Sequence, residues 1–422
     1  MTLEEANKNQ IFIPIKYSCF FLLLYIFIYN PPFAFLPVSP LEILILPALI
    51  YIWLSKRWAS LLTVFKWELT ILGLVLLFCV FREIGHFENI FFRANIFLLL
   101  QAIILPYFVI SIYYRLKNHN NLLKDMTKVG VIASFITISM LVFPALGDGI
   151  RYHLLKTDDF TELISYRSFG LSEGLTFGYG ITQGLVFTLL LYYAQEKSKY
   201  LIYLPFVLIS ILFNARIGLF PAVIGLLYFL VIKFNVKLFT IFLLIGASLY
   251  FIIFNTELFS DYAKTITWAF DFFTQSSDLV SGNSTGSDGS TFDILFGEMA
   301  VLPHDIWGWL IGTGENIFVS KKANSDIGYI IQLHYGGLVY LSFFVLLIGG
   351  MMFRLKSLYG NNIRWLMYIL LITIIVTNVK GLTISIIPSL RFIMLIYCYL
   401  IMEAKDRKRV ENQNKELANL SA

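Results

Sequence analysis

The stretch LYFIIFNTELFSDYAK (residues 249–264) divides the chain, because it passes from an apolar run into a long polar one. The polar segment continues to Asp326, where SDIGYIIQL (residues 325–333) begins the next apolar run. Elsewhere, apolar runs follow one another closely and are separated by shorter polar segments. We therefore expect residues 255–326, called the long loop below, to lie in water while most of the chain lies in a membrane.

Composition supports this division, since 58% of the residues are hydrophobic and 14% are charged, whereas soluble domains carry about 25% charged residues. A spanning helix needs about 20 mostly apolar residues. The sequence predicts an all-α polytopic membrane protein with about 12 transmembrane helices and the long loop between helices 9 and 10. The predicted spans are 17–37, 39–55, 67–84, 95–114, 128–146, 174–194, 199–214, 217–232, 238–254, 327–350, 363–380 and 383–402.

Positive charges predict the orientation, because cytoplasmic loops of membrane proteins are enriched in lysine and arginine. With the N-terminus inside, 21 of the 32 lysines and arginines fall on cytoplasmic segments. Both termini are therefore predicted to be cytoplasmic. The long loop is then external, which means periplasmic in a Gram-negative cell.

Basic residues on the external side are few, and three of them are arginines that suit phosphate binding. Arg167 precedes the sixth span, Arg216 occupies a tight turn between two short spans, and Arg391 lies inside the twelfth. Arginine grips phosphate bidentately and stays charged at physiological pH. Arg391 has an alternative interpretation, in which it pairs with a carboxylate or extends to the membrane surface. Lys380 is interpreted as an interfacial anchor.

The long loop is acidic, with ten carboxylates against three lysines. This charge does not suit a nucleic acid or another polyanion, but carboxylates and the rings of Trp268, Trp307 and Trp309 suit sugars. Two residues are candidates for proton transfer. His304 has a side chain whose usual pKa is near neutral, and Asp326 stands where the loop returns to the membrane. A structural histidine and a helix-capping aspartate remain the alternatives.

Motifs of other enzyme classes are absent from the sequence. It contains no phosphate-binding P-loop, no GxSxG, no HExxH and no paired cysteines. We therefore expect no bound metal and no organic cofactor.

Three short motifs resemble those of bacterial O-antigen polymerases of the Wzy type, which belong with the O-antigen ligases in one superfamily. Arg167 and Gly178 are separated by ten residues, and Arg216-Ile217-Gly218 is similar to an Arg-Thr-Gly turn. GTGENIF (312–318) and SDIGYIIQLHYGGLVYL (325–341) resemble the loop exit and the helix that follows it. Tyr329 lies in the last of these motifs.

This resemblance implies a GT-C-like architecture and a metal-independent glycosyltransferase in the bacterial inner membrane. Such enzymes transfer a glycan from undecaprenyl pyrophosphate to the non-reducing end of a lipid-linked repeat unit. Implied partners are the lipid-linked donor and acceptor, membrane lipids and a chain-length regulator protein. Arg167 and Arg216 match the arginine motifs of the family, and Arg391 matches only by position. These three would bind pyrophosphate, and Asp326 or His304 would assist the acceptor. The implied substrate-binding residues are Gly178, Gly218 and Tyr329.

Two other functions remain open. An O-antigen ligase would carry a histidine near the end of the long loop, where this chain has Asp326. His304 keeps the ligase possible. A lipid-linked oligosaccharide flippase has a similar size, but it would not need the long loop. It would more often show coupled carboxylates or broken helices within the membrane.

Overall fold

The computed structural model describes residues 17–84, 90–116, 121–156, 167–173, 177–231, 299–315, 325–360, 363–385 and 387–421, with the single positions 240, 244, 247, 297 and 317. These residues form helices and connecting turns, and no strand occurs among them. The helices are α1 (Tyr17–Tyr29), α2 (Pro40–Leu54), α3 (Trp58–Val64), α4 (Lys66–Glu83), α5 (Ile90–Leu99), α6 (Leu105–Tyr113), α7 (Leu122–Val142), α8 (Pro144–Asp148), α9 (Gly178–Glu196), α10 (Leu204–Leu212), α11 (Leu219–Val231), α12 (Ile306–Ile311), α13 (Gly328–Tyr359), α14 (Arg364–Thr377) and α15 (Ile387–Ser421).

Several helices are long and apolar enough to cross a membrane. In the described ranges these are Phe91–Tyr113, which runs through a π-helical turn from α5 into α6, together with α7 and α13. The pair α2 and α3 would form a fourth span, although its axis bends by 104°. The chain is therefore an all-α protein of the membrane-spanning kind, as the sequence predicts.

Some of the predicted spans, and most of the long loop, fall on residues that the structure does not describe. The ninth predicted span, 238–254, lies almost wholly outside the described residues. Within the described ranges, α4 occupies the predicted span 67–84 closely, and α1 ends at Tyr29, just before Pro31 and Pro32. The total of twelve spans and the GT-C-like architecture stay predictions.

One end of the helix bundle, called the upper end below, collects the segments on which the site depends. The Glu173 amide donates to the Tyr29 carbonyl at the end of α1 (2.9 Å), and the Ser168 amide donates to the Phe213 carbonyl after α10 (2.9 Å). Arg57 and Arg115 lie together at the opposite end, the lower end, where both approach the ring of Tyr51.

Glycines let α9 approach the Arg216–Gly218 turn closely. A Cβ atom built on Gly180 would lie 2.7 Å from the Ala215 carbonyl oxygen, and one built on Gly218 would overlap the Gly180 carbonyl. Gly178 packs in the same way against Pro388, at 3.1 Å. Backbone contact of this kind is typical of helices in membranes. It holds Arg216 against the start of α9.

We expect Gly218→Ala to destabilise the protein, because the added methyl group would meet backbone that has no side chain to move aside. Overpacking costs about 1–3 kcal/mol, so the midpoint of thermal unfolding in detergent should fall by several degrees. Gly73→Ala in α4 is the control, since nothing lies within 4 Å of its built Cβ. Equal midpoints for the two variants would contradict the close packing.

Helix α13 is interrupted at Gly337, whose φ of 63° favours glycine. The break releases carbonyl groups, and the segment after α12 binds one of them: the amides of Thr313 and Gly314 donate to the His334 carbonyl (2.7 and 3.1 Å). Arg82 of α4 donates to the carbonyls of Gly312 and Tyr335. Irregular backbone within a membrane is tolerated where protein groups satisfy it in this way.

Candidate functional site

A cluster of charged residues lies at the upper end and is assembled from four distant segments. Arg167 precedes α9, Arg216 opens the turn before α11, Asp326 precedes α13 and Lys380 follows α14. Each of the four residues is half-buried. We call them the upper cluster.

Electrostatics connect these four residues. Burial lowers the pKa of Lys380 from its usual value of 10.5, the charge of Arg216 lowers it further, and Arg167 acts in the same direction. The carboxylate of Asp326 raises the pKa and so opposes these effects. All three neighbours must therefore lie close enough to Lys380 to act on its charge. The cluster holds three cations and one carboxylate.

The loop that carries Lys380 is fixed by buried amide groups. The Asn378 side chain donates to Gln332 Oε1 (3.0 Å) and accepts from the Ile384 amide (3.0 Å), while Gln332 donates to Ser385 Oγ (2.9 Å). Gly328 packs directly on this loop, with its built Cβ 2.7 Å from the Asn378 carbonyl oxygen. These contacts place the start of α13, and therefore Asp326, beside Lys380.

A second arginine orients Arg167 through its backbone. Arg151 Nε donates to the Arg167 carbonyl (3.2 Å), and Arg151 Nη2 donates to Ser168 Oγ (3.3 Å). Arg151 is itself 8% exposed and paired with Asp148 (3.1 Å). It therefore acts as a structural support for segment 167–173 in this arrangement.

Asp326 does not cap the helix that follows it. The residue that precedes the first turn of α13 is Ile327, and no side chain forms a cap there. The Ile327 amide instead donates to Ser325 Oγ (3.2 Å). This arrangement removes the capping alternative and leaves the Asp326 carboxylate with the upper cluster.

Tyr329 and His304, the other two predicted site residues near α13 and α12, have different surroundings from each other. The Tyr329 hydroxyl donates to the Ile375 carbonyl of α14 (2.8 Å), so it braces α13 against α14. His304 is exposed ahead of α12 and forms no hydrogen bond or ion pair with a described residue. A different histidine anchors this region, because His334 Nε2 lies 2.9 Å from the Val301 carbonyl oxygen. The substrate and proton-transfer roles of Tyr329 and His304 stay predictions.

Arg391 belongs to a separate, buried cluster. Its side chain is 1% exposed and ion-paired with Glu173, and it donates to Gln101 Oε1 (2.9 Å) and the Ile28 carbonyl (3.3 Å). Glu173 also accepts from the Asn30 amide group. The alternative in which Arg391 pairs with a carboxylate is therefore the arrangement in this structure. Pyrophosphate binding by Arg391 stays a prediction, and it would require Glu173 to release the guanidinium.

A small cavity of about 10 Å³ adjoins this ion pair and is lined by residues of α1, α9 and α15, including Tyr29, Gly178 and Pro388. Gly178 therefore lies near Arg391, but its contact with Pro388 gives it a packing role. The prediction that Gly178 and Gly218 bind substrate stays untested by this geometry.

The sequence analysis does not place two residues of these clusters, Lys380 and Glu173, in a charged site. Lys380 is interpreted from sequence as an interfacial anchor, and the structure places it near the arginines. Glu173 sits between Arg167 and Gly178, and the burial cost of Arg391 was a signal that some carboxylate should meet it. Among the described residues, no group of three or more His, Cys, Asp or Glu side chains could hold a metal ion.

Fold and site together define the chain as an all-α membrane protein with a basic cluster at one end of its bundle. Comparison with known protein families, curated proteins and solved structures finds no match.

We expect Lys380→Met to stabilise the protein at pH 7, because a half-buried cation beside two arginines opposes folding. The pKa of Lys380 is lowered in the folded state, so the unfolded chain holds this proton more tightly. The cost is present at neutral pH and disappears as the pH rises towards 10.5. The melting midpoint should rise by roughly 2–4 °C at pH 7, with a smaller gain at pH 10. A fall in the midpoint at pH 7 would contradict this prediction.

Proposed function

We propose that the protein is a surface-polysaccharide polymerase of the O-antigen type, acting in the bacterial inner membrane with both termini cytoplasmic. It would transfer a glycan from undecaprenyl pyrophosphate to the non-reducing end of a lipid-linked repeat unit. The observation that carries the proposal is the upper cluster, where Arg167, Arg216 and Lys380 meet beside Asp326. The motifs that contain Arg167, Arg216 and Asp326 are the ones that resemble Wzy-type polymerases.

The charge of the cluster suits a pyrophosphate leaving group. Three cations against one carboxylate leave an excess of positive charge, and the fork of an arginine matches phosphate oxygens. Such donors stabilise charge that develops in the transition state when they are fixed beforehand. Arg167 and the Lys380 loop are fixed by the hydrogen bonds of Arg151 and Asn378.

The reaction would proceed by attack of an acceptor hydroxyl on the anomeric carbon of the donor glycan. The new glycosidic bond forms as the bond from that carbon to the pyrophosphate oxygen breaks, and the electron pair leaves with undecaprenyl pyrophosphate. The arginines and Lys380 would bind the departing charge. Asp326 would accept the hydroxyl proton, because it is the carboxylate of the upper cluster and is free of a capping role.

Sugar binding is assigned in this proposal to the long loop, through its carboxylates and tryptophans. The exposed Trp307 and the partly exposed Trp309 of α12 offer ring faces. A chain-length regulator would be a further partner, and no bound metal or organic cofactor is needed for the step.

A flippase is the second candidate, and one observation favours it. Helix α13 is broken at Gly337, and discontinuous helices are common at the substrate sites of transporters. A ligase remains the third candidate because of His304, which is exposed.

Deletion of the gene in its native host tests the proposal against both rivals. The surface glycan is then separated by gel electrophoresis. Loss of a polymerase leaves single repeat units on the lipid core, whereas loss of a flippase or a ligase leaves no repeat at all. Complementation with the intact gene should restore the ladder. An unchanged ladder in the deletion strain would exclude the proposed function.

A further inference from the structure

Two arginines share one tyrosine ring at the lower end of the bundle. Arg57 lies in the bend between α2 and α3, and Arg115 follows α6. Their guanidinium carbons lie 5.9 Å and 4.9 Å from the centre of the Tyr51 ring. The ring is held in turn by an edge contact with Phe108 of α6, at 5.3 Å. Two segments far apart in sequence therefore bring like charges together.

Several N–H groups of these two guanidinium groups form no hydrogen bond with a described residue. Arg57 is 4% exposed, and its Nε and Nη1 atoms are buried without a hydrogen bond. The Nε and Nη2 atoms of Arg115 and the hydroxyl of Tyr51 are buried and unbonded as well. No described carboxylate forms an ion pair with either arginine. Asp406 of α15 acts electrostatically on the nearby hydroxyls of Tyr107 and Tyr114.

Such an arrangement is unfavourable unless an anion completes it. Buried charges are normally paired, because an unpaired charge in an apolar region carries a large solvation cost. The unbonded groups are guanidinium N–H groups and a hydroxyl, all of which can donate. A ligand that accepts hydrogen bonds and carries negative charge fits them. Nε and Nη2 of Arg115 form one edge of the guanidinium, the edge that binds an oxyanion bidentately.

We infer that Arg57, Arg115 and the Tyr51 hydroxyl form a phosphate-binding site, separate from the upper cluster. The ligand is a phosphate group, supplied by the headgroup of an anionic phospholipid or by soluble phosphate. Arg57 lies in the 104° bend between α2 and α3, so the bound phosphate would join this bend to the end of α6. The site does not depend on the proposed polymerase activity.

The test measures ligand binding to the full-length protein in detergent, by native mass spectrometry and thermal stability. The probes are phosphatidylglycerol, phosphatidylcholine and inorganic phosphate. The test variant is Arg57→Gln with Arg115→Gln, which keeps hydrogen-bond donors and removes both charges. The control is Lys124→Gln with Lys128→Gln, which removes two charges from the same end. Those lysines already pair with Glu196 and Asp125.

The site is assigned to a lipid if the intact protein binds phosphatidylglycerol in preference to phosphatidylcholine. Binding of phosphatidylglycerol should then be about tenfold weaker in the arginine variant and unchanged in the lysine variant. If inorganic phosphate binds more weakly to the arginine variant, and the two lipids bind equally well, the site is assigned to soluble phosphate. Arg57→Lys with Arg115→Lys should retain part of the affinity, which separates loss of charge from misfolding. Binding of every probe with the same strength by intact protein and the glutamine variant would overturn the inference.

Discussion

Arg216→Ala is expected to stop chain growth and leave single repeat units on the lipid core. In the proposed reaction Arg216 binds the departing pyrophosphate, and loss of one fixed donor to a developing negative charge typically lowers kcat by about 10²–10³-fold. The measurement is polymerisation of a purified lipid-linked repeat unit, together with the ladder of surface glycan in cells.

The position of Arg216 makes this effect large. The turn that carries it packs closely against α9 at Gly180 and Gly218, so the backbone of Arg216 is held in a fixed position. Arg216→Lys keeps the charge but loses the planar fork, and we expect activity between those of the intact protein and the alanine variant.

Arg93→Ala is the matched control for Arg216→Ala. Arg93 also lies near the upper end, but its side chain is 74% exposed and pairs with Glu42 at 3.4 Å. Its removal should leave the ladder unchanged. If Arg216→Ala gave a normal ladder at normal protein levels, the proposed role of the upper cluster would be wrong.

Glu173→Ala is expected to destabilise the fold more than any other single change considered for this chain. It would leave Arg391 buried without its carboxylate, and breaking a buried ion pair by removing one partner costs about 3–5 kcal/mol. The Asn30 side-chain amide would lose its carboxylate acceptor at the same time. The measurements are the thermal midpoint and the yield of folded protein in detergent.

A double variant separates charge from contact. Glu173→Ala combined with Arg391→Met removes both charges, and we expect it to recover part of the stability lost in Glu173→Ala. Glu196→Ala serves as the control. Its pair with Lys124 spans 3.7 Å between side chains that are 50% and 33% exposed, and exposed pairs contribute about 0–1 kcal/mol. Equal losses for Glu173→Ala and Glu196→Ala would show that the buried pair is unimportant.

The same variants address whether Arg391 binds substrate. If Arg391 serves only the fold, Glu173→Ala with Arg391→Met should retain activity in proportion to the folded protein. If Arg391 also binds pyrophosphate, activity per folded molecule should fall further. This comparison distinguishes the structural role seen here from the role that the resemblance implies.

Much of the membrane character of this chain follows from local sequence. Apolar runs of membrane length determine α7 and α13, and Pro31 and Pro32 end α1, because proline lacks the amide and the freedom that a helix needs. Arg167, Arg216 and Asp326 stand out in sequence because charges near apolar segments are costly and few.

Other features depend on contacts that sequence spacing does not encode. Gly337 breaks α13 where Arg82, more than 250 positions earlier in the chain, can bind the Tyr335 carbonyl. The sequence around GLVYL reads as one continuous apolar helix. Local periodicity could not indicate the break, since its compensation comes from a distant segment.

The chain by itself determined a helical membrane protein, a polar segment ahead of α13 and a small set of unusual arginines. Tertiary structure decided which of those arginines lie together and which carboxylate each of them meets. Arg216 and Arg167 lie with Lys380 and Asp326, whereas Arg391 lies with Glu173. The physical reason is that a charge near a membrane must find a partner, and the partner is set by which helix ends pack together.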